Sequence, residues 1–221
     1  MREIVLDTET TGLDPKSGHR VVEIGCVELV NHVPTGATFQ TYIDPERDMP
    51  AEAFAVHGLS REFLAQHPVF AHVADGFQAF VADDPLVIHN ATFDLGFLNA
   101  ELERLGQAVL PRERAIDTVA LARRKYPGAQ ASLDALCRRF EIDLSARDLH
   151  GALLDAQLLA RVYLELIGGR QPGLELAATA AAAATVDTRE ARPPRPHAPS
   201  AAEADAHAAL VDRLADPVWR R

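Results

Sequence analysis

The hydrophobic pattern of the first 168 residues alternates between short apolar runs and longer amphipathic stretches. Apolar runs bounded by turn residues predict strands at 4–6, 21–30, 37–43, 86–88 and 115–118. Apolar positions repeated at helical spacing predict helices at 69–81, 93–105, 132–140 and 151–167. Strands that first form a meander and then alternate with helices predict an α/β fold, in which a mixed central sheet is flanked by helices.

The segments between these elements carry turn and capping residues. Residues 31–36 have turn chemistry and separate the second strand from the third. Residues 52–58 fit either a loop or a short helix. Ser60 and Ser132 are each placed to cap the helix that follows, because a serine hydroxyl can accept a hydrogen bond from a free N–H of the first turn.

The composition changes after residue 168. Residues 177–184 are almost all alanine and threonine, and 192–199 are rich in proline. We therefore expect a compact domain over 1–168, a flexible linker over 169–200 and a terminal segment over 201–221. Ser200 and Glu203 form a capping-box pattern that predicts a helix in the terminal segment.

Composition and charge narrow the function. The formal net charge of −10 argues against a broad basic surface for nucleic acid. It leaves room for a nucleic-acid enzyme whose acids bind metal ions and which a partner delivers to DNA. No apolar stretch approaches the roughly 20 residues of a membrane helix. No signal peptide is evident, and Cys26 and Cys137 fit buried free thiols, so we expect a cytoplasmic protein that does not bind membranes.

Asp7 and Glu9 follow the first apolar run and fall on the same face of the strand. Two neighbouring carboxylates repel each other, and a divalent cation such as Mg²⁺ or Mn²⁺ relieves that repulsion. Two solvated acids at a strand end would give the same short pattern.

Three further residues carry candidate chemistry. Asp94 lies in the first turn of the helix after 86–88, where an acid can also serve only the helix dipole. His150 precedes the last helix of the domain, and Asp155 lies within that helix among apolar residues. His150 could instead be a capping or surface residue, but a carboxylate on so apolar a helix needs a partner.

Taken together, four carboxylates and one histidine are what two-metal hydrolysis of a phosphodiester requires. Two cations about 3.5–4 Å apart would hold the scissile phosphate. A histidine with a pKa near neutrality would accept the proton of the attacking water.

The motifs DTETTG, HNATFD and HGALLDA, in that order, resemble those of the DEDDh 3′–5′ exonucleases, which have a ribonuclease-H-like fold. The resemblance covers about residues 2–167 and implies two bound metal ions. It implies that Asp7, Glu9 and Asp155 hold the first metal and that Asp7 and Asp94 hold the second. It also implies that His150 is the general base, since the histidine of this family lies five residues before the last aspartate.

The same resemblance suggests substrate contacts around the first motif, at Thr8, Glu9 and Thr10, and at Asp155. Glu52 and His57 match a stretch that contacts the substrate in related enzymes. On the residues alone, Glu52 could be a solvated acid and His57 a turn residue.

The tail resembles that of the proofreading epsilon subunits of bacterial DNA polymerase III. Gln171, Leu174 and Leu176 fit a degenerate peptide that binds the sliding clamp beta, although a plain linker would also fit. The terminal residues expected to dock on the polymerase alpha subunit are Leu210, Leu214 and Trp219. The implied location is the bacterial replisome at the nucleoid, and the sequence leaves open whether a small accessory subunit binds as well.

The sequence therefore predicts a proofreading 3′–5′ exonuclease that acts on a single-stranded or frayed DNA primer end and releases 5′-monophosphates. An RNA-trimming enzyme would share the catalytic residues but would not need the tail. A non-catalytic scaffold that links clamp and polymerase would need only the tail and would show no nuclease activity.

Overall fold

A five-stranded sheet with the order β3-β2-β1-β4-β5 forms the centre of the fold in the computed structural model, which describes residues 1–145, 149–168 and 198–214. The strands are β1 (Arg2–Thr10), β2 (Val21–Val30), β3 (Val33–Tyr42), β4 (Leu86–Ile88) and β5 (Ala115–Asp117). The first three strands pair antiparallel, whereas β4 runs parallel to β1 and to β5. The predicted mixed sheet is thus confirmed.

Eight α-helices are described: α1 (Ala51–His57), α2 (Arg61–Leu64), α3 (Phe70–Val81), α4 (Ala91–Arg104), α5 (Thr118–Lys125), α6 (Leu133–Arg139), α7 (Ala152–Ile167) and α8 (Ala201–Asp212). Two short 3₁₀ helices span Pro15–Ser17 and Arg112–Arg114. In the described part of the chain, no helix is long and apolar enough to cross a membrane.

Alternation along the central strands builds a core on each face of the sheet. Ile4 and Leu6 of β1 pack with residues of α3 and α4, whereas Val5 packs with residues of α5, α6 and α7. The helices therefore cover both faces, and the strand ends are left to form the site.

The predicted serine caps are present. Ser60 and Ser132 each accept an N–H of the first turn, from Phe63 and Ala135. Ser200 and Glu203 form the predicted capping box at the start of α8.

Several boundaries differ from the sequence prediction, and β1 in particular spans Arg2–Thr10 rather than residues 4–6. The third strand begins at Val33 rather than residue 37, because the turn consists only of Asn31 and His32, both with positive φ, as a two-residue hairpin turn requires. Residues 51–57 form a helix, which ends at Gly58 with a φ of +72°.

The chain divides into two compact units, Met1–Leu174 and Glu175–Arg221. In the second unit the described element is α8, on which Leu210 is exposed. Most of the predicted linker lies outside the described residues, as do Gln171, Leu174, Leu176 and Trp219.

Candidate active site

The first two acidic motifs meet because β1 and β4 are parallel neighbours. Asp7 and Glu9 end β1, and the chain leaves β4 at the same edge of the sheet to begin α4, which carries Asp94 in its first turn. Both the backbone N–H and the hydroxyl of Thr8 donate to Asp94 Oδ1, at 3.1 and 2.8 Å. This pair of bonds fixes Asp94 beside the end of β1.

The third motif is placed by a contact between β2 and the start of α7. The helix has no side-chain cap of its own, and a Glu23 oxygen of β2 accepts the Ala152 N–H at 3.1 Å instead. A Cβ atom on Gly25 would overlap the Ala152 backbone, so this glycine allows the close approach. Burial raises the pKa of Glu23 above its ordinary value. Asp155, one turn further on, is thereby held at the sheet edge.

His150 lies at the mouth of the site and is half exposed, whereas Asp155 is buried. Its Nδ1 atom lies 3.3 Å from Asp155 Oδ2. Its backbone N–H donates to the Val56 carbonyl of α1 at 3.1 Å, so α1 and the histidine are tied together.

One cavity of about 380 Å³, the catalytic pocket, brings all five predicted catalytic residues together: Asp7, Glu9, Asp94, His150 and Asp155. Ser132 and Asp134 also line it, although the sequence indicated Ser132 only as a helix cap and gave no role to Asp134. His89 lines the same cavity.

The donor set of this pocket fits divalent cations. Glu9, His150 and Asp155 each offer a ligand atom, and these atoms lie within 4.8 Å of one another. Burial is the main cause that raises the pKa of Asp94 to about 7. A cation bound beside Asp94 would keep this buried carboxylate ionised. Hard divalent cations prefer oxygen ligands of the kind that the carboxylates of this pocket supply.

A second cavity of about 560 Å³, here named the nucleoside pocket after the ligand proposed for it below, adjoins the catalytic pocket and shares Thr8, Glu9 and Phe93 with it. Its size is in the ordinary range for a small-molecule ligand. It also contains the other predicted substrate-binding residues outside the catalytic pocket: Thr10, Glu52 and His57.

His57 is buried, and its Nδ1 atom accepts the Leu59 N–H at 3.0 Å. Burial lowers the pKa of His57 below its ordinary value. The ring is therefore held neutral against the wall of the nucleoside pocket.

The sequence reasoning missed His19, which also lines the nucleoside pocket. Its Nδ1 atom lies 3.1 Å from the Thr11 hydroxyl, and a Cβ atom on Gly12 would overlap its ring. The available signal was Gly12 itself, because a glycine after a strand can mark a close approach by another group.

Comparison with known proteins supports a nuclease. A family model described as Exonuclease (RNase_T) matches residues 4–163. The DNA polymerase III subunit epsilon of Rickettsia felis is 56% identical over 179 residues, which are 80% of this chain and 78% of that protein. The subunit of the same name from Escherichia coli K12 is 49% identical and covers 76% of this chain and 72% of that protein.

Solved structures share the fold. Exonuclease X in complex with 5′ overhanging duplex DNA matches with a TM-score of 0.59 at 25% identity, covering 75% of this chain and 90% of its own. The nuclease domain of 3′hExo, a DEDDh family member bound to rAMP, matches with a TM-score of 0.66 at 20% identity over 75% of this chain and 91% of its own.

Proposed function

This chain belongs to the exonuclease family RNase_T and, within it, to the epsilon subunits of DNA polymerase III, and on that premise we propose how its active site works. It is a 3′–5′ exonuclease that depends on divalent metal ions. We infer that it hydrolyses the mispaired 3′-terminal nucleotide of a DNA primer and releases it as a 5′-monophosphate. The observation that carries this proposal is the catalytic pocket, in which the four predicted carboxylates and His150 line one cavity beside the nucleoside pocket.

The carboxylates of the catalytic pocket would hold two Mg²⁺ or Mn²⁺ ions. Asp7, Glu9 and Asp155 would hold one ion, and Asp7 with Asp94 would hold the other. When bound, such ions neutralise charge on the phosphate and lower the pKa of water. The two hydrogen bonds from Thr8 hold the Asp94 carboxylate beside the end of β1, so that the carboxylate would not have to reorganise when a metal ion binds.

His150 is the general base of the proposal. Its Nδ1 atom lies 3.3 Å from Asp155 Oδ2, so a proton on Nδ1 would face that carboxylate and the Nε2 lone pair would accept the proton of the attacking water. The ring is half exposed, so it can pass that proton to solvent after each turnover. Asp155 orients the imidazole as well as serving the metal site.

The nucleoside pocket would receive the terminal nucleoside, with Thr8 and Thr10 near the sugar and Glu52 and His57 on the facing wall. Access to this pocket requires an unpaired end. A mispaired terminus frays more readily than a paired one, which would direct hydrolysis to errors.

We propose that the tail connects the enzyme to the replisome. The name of the relatives places them in DNA polymerase III, and this chain would accordingly associate with the polymerase alpha subunit in the cytoplasm, at the nucleoid. Leu210 and Leu214 are 55% and 45% exposed and would dock there together with Trp219. Gln171, Leu174 and Leu176 would bind the sliding clamp beta, so that tethering raises the local concentration of DNA ends.

The test is degradation of a 5′-labelled primer–template, either paired or with one 3′ mismatch, with Mg²⁺, with Mn²⁺ and with a chelator. We expect metal-dependent release of 5′-monophosphates, faster from the mismatch. His150→Gln should lower kcat about 10²- to 10⁴-fold. His72→Gln, which changes an exposed histidine of α3, is the matched control and should leave kcat unchanged.

Cleavage of short RNA without cleavage of mismatched DNA would assign the chain to RNA trimming instead. Absence of cleavage of either substrate, with polymerase binding intact, would leave a scaffold.

A further inference from the structure

A third cavity of about 550 Å³ opens next to the catalytic pocket. It lies between α5 and the segment 129–132 and is here named the upstream cleft. It shares His89 and Ser132 with the catalytic pocket, so the two cavities are continuous. The nucleoside pocket shares neither residue.

Three exposed polar side chains line the upstream cleft: Asn90, Arg123 and Gln130. Within the residues that the structure describes, these three side chains form no hydrogen bond and no ion pair. Asn90 has a left-handed backbone with a φ of +66°, and its side chain does not cap the helix that it precedes. The cleft therefore presents hydrogen-bond donors that the fold itself does not use.

One acid and one permanent cation line the cleft, Asp117 and Arg123. Asp117 Oδ1 accepts the backbone N–H groups of Val119 at 2.9 Å and of Asn90 at 3.3 Å at the start of α5. Arg123 is the cation that faces the cavity. A guanidinium group has the donor geometry and permanent charge that suit a phosphate.

The order of the three cavities gives the direction of a bound strand. An exonuclease that removes one nucleotide must place the scissile phosphate between the terminal nucleoside and the rest of the strand. The carboxylates lie in the middle cavity, and the nucleoside pocket adjoins it on one side. The upstream cleft adjoins the middle cavity through His89 and Ser132, which do not line the nucleoside pocket, so it can receive the strand that remains after cleavage.

We propose that the upstream cleft binds the phosphodiester groups of the primer on the 5′ side of the scissile phosphate, with Arg123 as the main phosphate contact and the amides of Asn90 and Gln130 as further donors. This inference rests on the proposed function. It explains how a chain of net charge −10 gains affinity for a single strand close to a cluster of acids.

The test compares two substrates on the full chain: a single-stranded thymidine oligonucleotide and the p-nitrophenyl ester of thymidine 5′-monophosphate. The ester fills the nucleoside and catalytic pockets but has no upstream phosphate. For Arg123→Ala, the ratio of kcat/KM for the oligonucleotide to kcat/KM for the ester should fall about tenfold, as expected for loss of one charged contact. The slope of log KM against log salt for the oligonucleotide should shrink by about 0.7, the value for one phosphate contact on a single strand.

Two control variants isolate the cleft. Arg124→Ala removes an exposed cation of the same helix that does not line the cavity, and the ratio should stay at its wild-type value. Arg123→Lys keeps the charge and should keep most of the salt slope. Hydrolysis of the ester by each variant shows that the domain is folded.

An unchanged ratio and salt slope in Arg123→Ala would overturn the proposal, as would an equal change in Arg124→Ala. If the wild-type chain hydrolyses neither substrate with Mg²⁺ or Mn²⁺, the proposed function itself is wrong. Failure of the cleft proposal is therefore distinguishable from failure of the proposed function.

Discussion

The two ends of β1 use buried carboxylates in opposite ways. At its start, Glu3 is fully buried, and its two oxygens are met by the Tyr163 hydroxyl and by His32 Nδ1, each at 2.7 Å. At its end, Asp7 and Glu9 share one cavity with three further aspartates, Asp94, Asp134 and Asp155. The start of the strand therefore carries a single carboxylate held by two side chains, whereas its end contributes two acids to a cluster of carboxylates in one cavity.

The difference shows how a site for cations is distinguished from structural polarity. A buried carboxylate with two partners stabilises the fold, and removal of the carboxylate leaves those partners without it. A cluster of like charges costs folding free energy until cations bind. Replacing Asp7 at the end of β1 should therefore lower activity without lowering stability. Replacing Glu3 at the start of β1 should lower stability without lowering activity.

The largest effect is expected at the end of β1. Asp7→Asn should reduce exonuclease kcat about 10³-fold, because it removes a ligand from both proposed metal sites. Its free energy of unfolding without metal should not fall, since one charge of the cluster is removed. Activity assays and urea unfolding in chelator test the two halves of this prediction, and a stability loss that accounts for the activity loss would contradict it.

The next effect is expected at the start of β1. Glu3→Ala should lower the free energy of unfolding by about 1–3 kcal/mol, because the buried Tyr163 hydroxyl loses its acceptor. The kcat of the folded enzyme should remain within about twofold of the wild-type value, since Glu3 is remote from the catalytic pocket. Unfolding in urea gives the first number, and a parallel fall in kcat would break the contrast between the two ends.

Glu23 stands between these cases, because it is a structural acid that positions a catalytic helix. Glu23→Ala should cost about 1 kcal/mol of stability, the usual value for loss of a helix cap. It should also raise the Mn²⁺ concentration at half-maximal activity several-fold, because α7 carries Asp155. Glu23→Gln keeps an acceptor for the Ala152 N–H and should restore most of the metal affinity. Equal metal dependence in all three proteins would show that Glu23 has no positioning role.

The smallest effect concerns pH. Burial lowers the pKa of His57, so the unfolded chain takes up this proton near pH 6.5 before the folded chain does. The stability that neutral His57 contributes is therefore lost as pH falls through 6.5 toward the folded pKa. Between pH 7.5 and 5.5 the wild-type protein should lose more unfolding free energy than His57→Gln. Identical losses would contradict a neutral His57.

Much of this fold follows from local sequence rules. The apolar runs and serine caps place nearly every strand and helix because each depends on neighbouring residues. The short spacing of HGALLDA likewise keeps His150, just before α7, close to Asp155 in its first turn, and their side chains lie 3.3 Å apart. The motifs could be read as one site since the ends of parallel strands lie at one edge of a sheet.

Long-range contacts account for what the sequence did not predict. Glu23 and Ala152 are 129 positions apart, and nothing local to either residue indicates the cap. A glutamate inside the apolar run 21–30 was the available hint that a buried partner exists. The upstream cleft is similar, because α5 and the segment 129–132 come together only in the fold.

The most direct test of the central claim is calorimetric titration of Mn²⁺ in the presence of thymidine 5′-monophosphate, with the wild-type chain, Glu3→Gln and Asp7→Asn. If the acids at the end of β1 are the metal site, wild type and Glu3→Gln should each bind two Mn²⁺ ions, and Asp7→Asn at most one. Two ions bound with unchanged affinity by Asp7→Asn, or none bound by the wild type, would contradict the account.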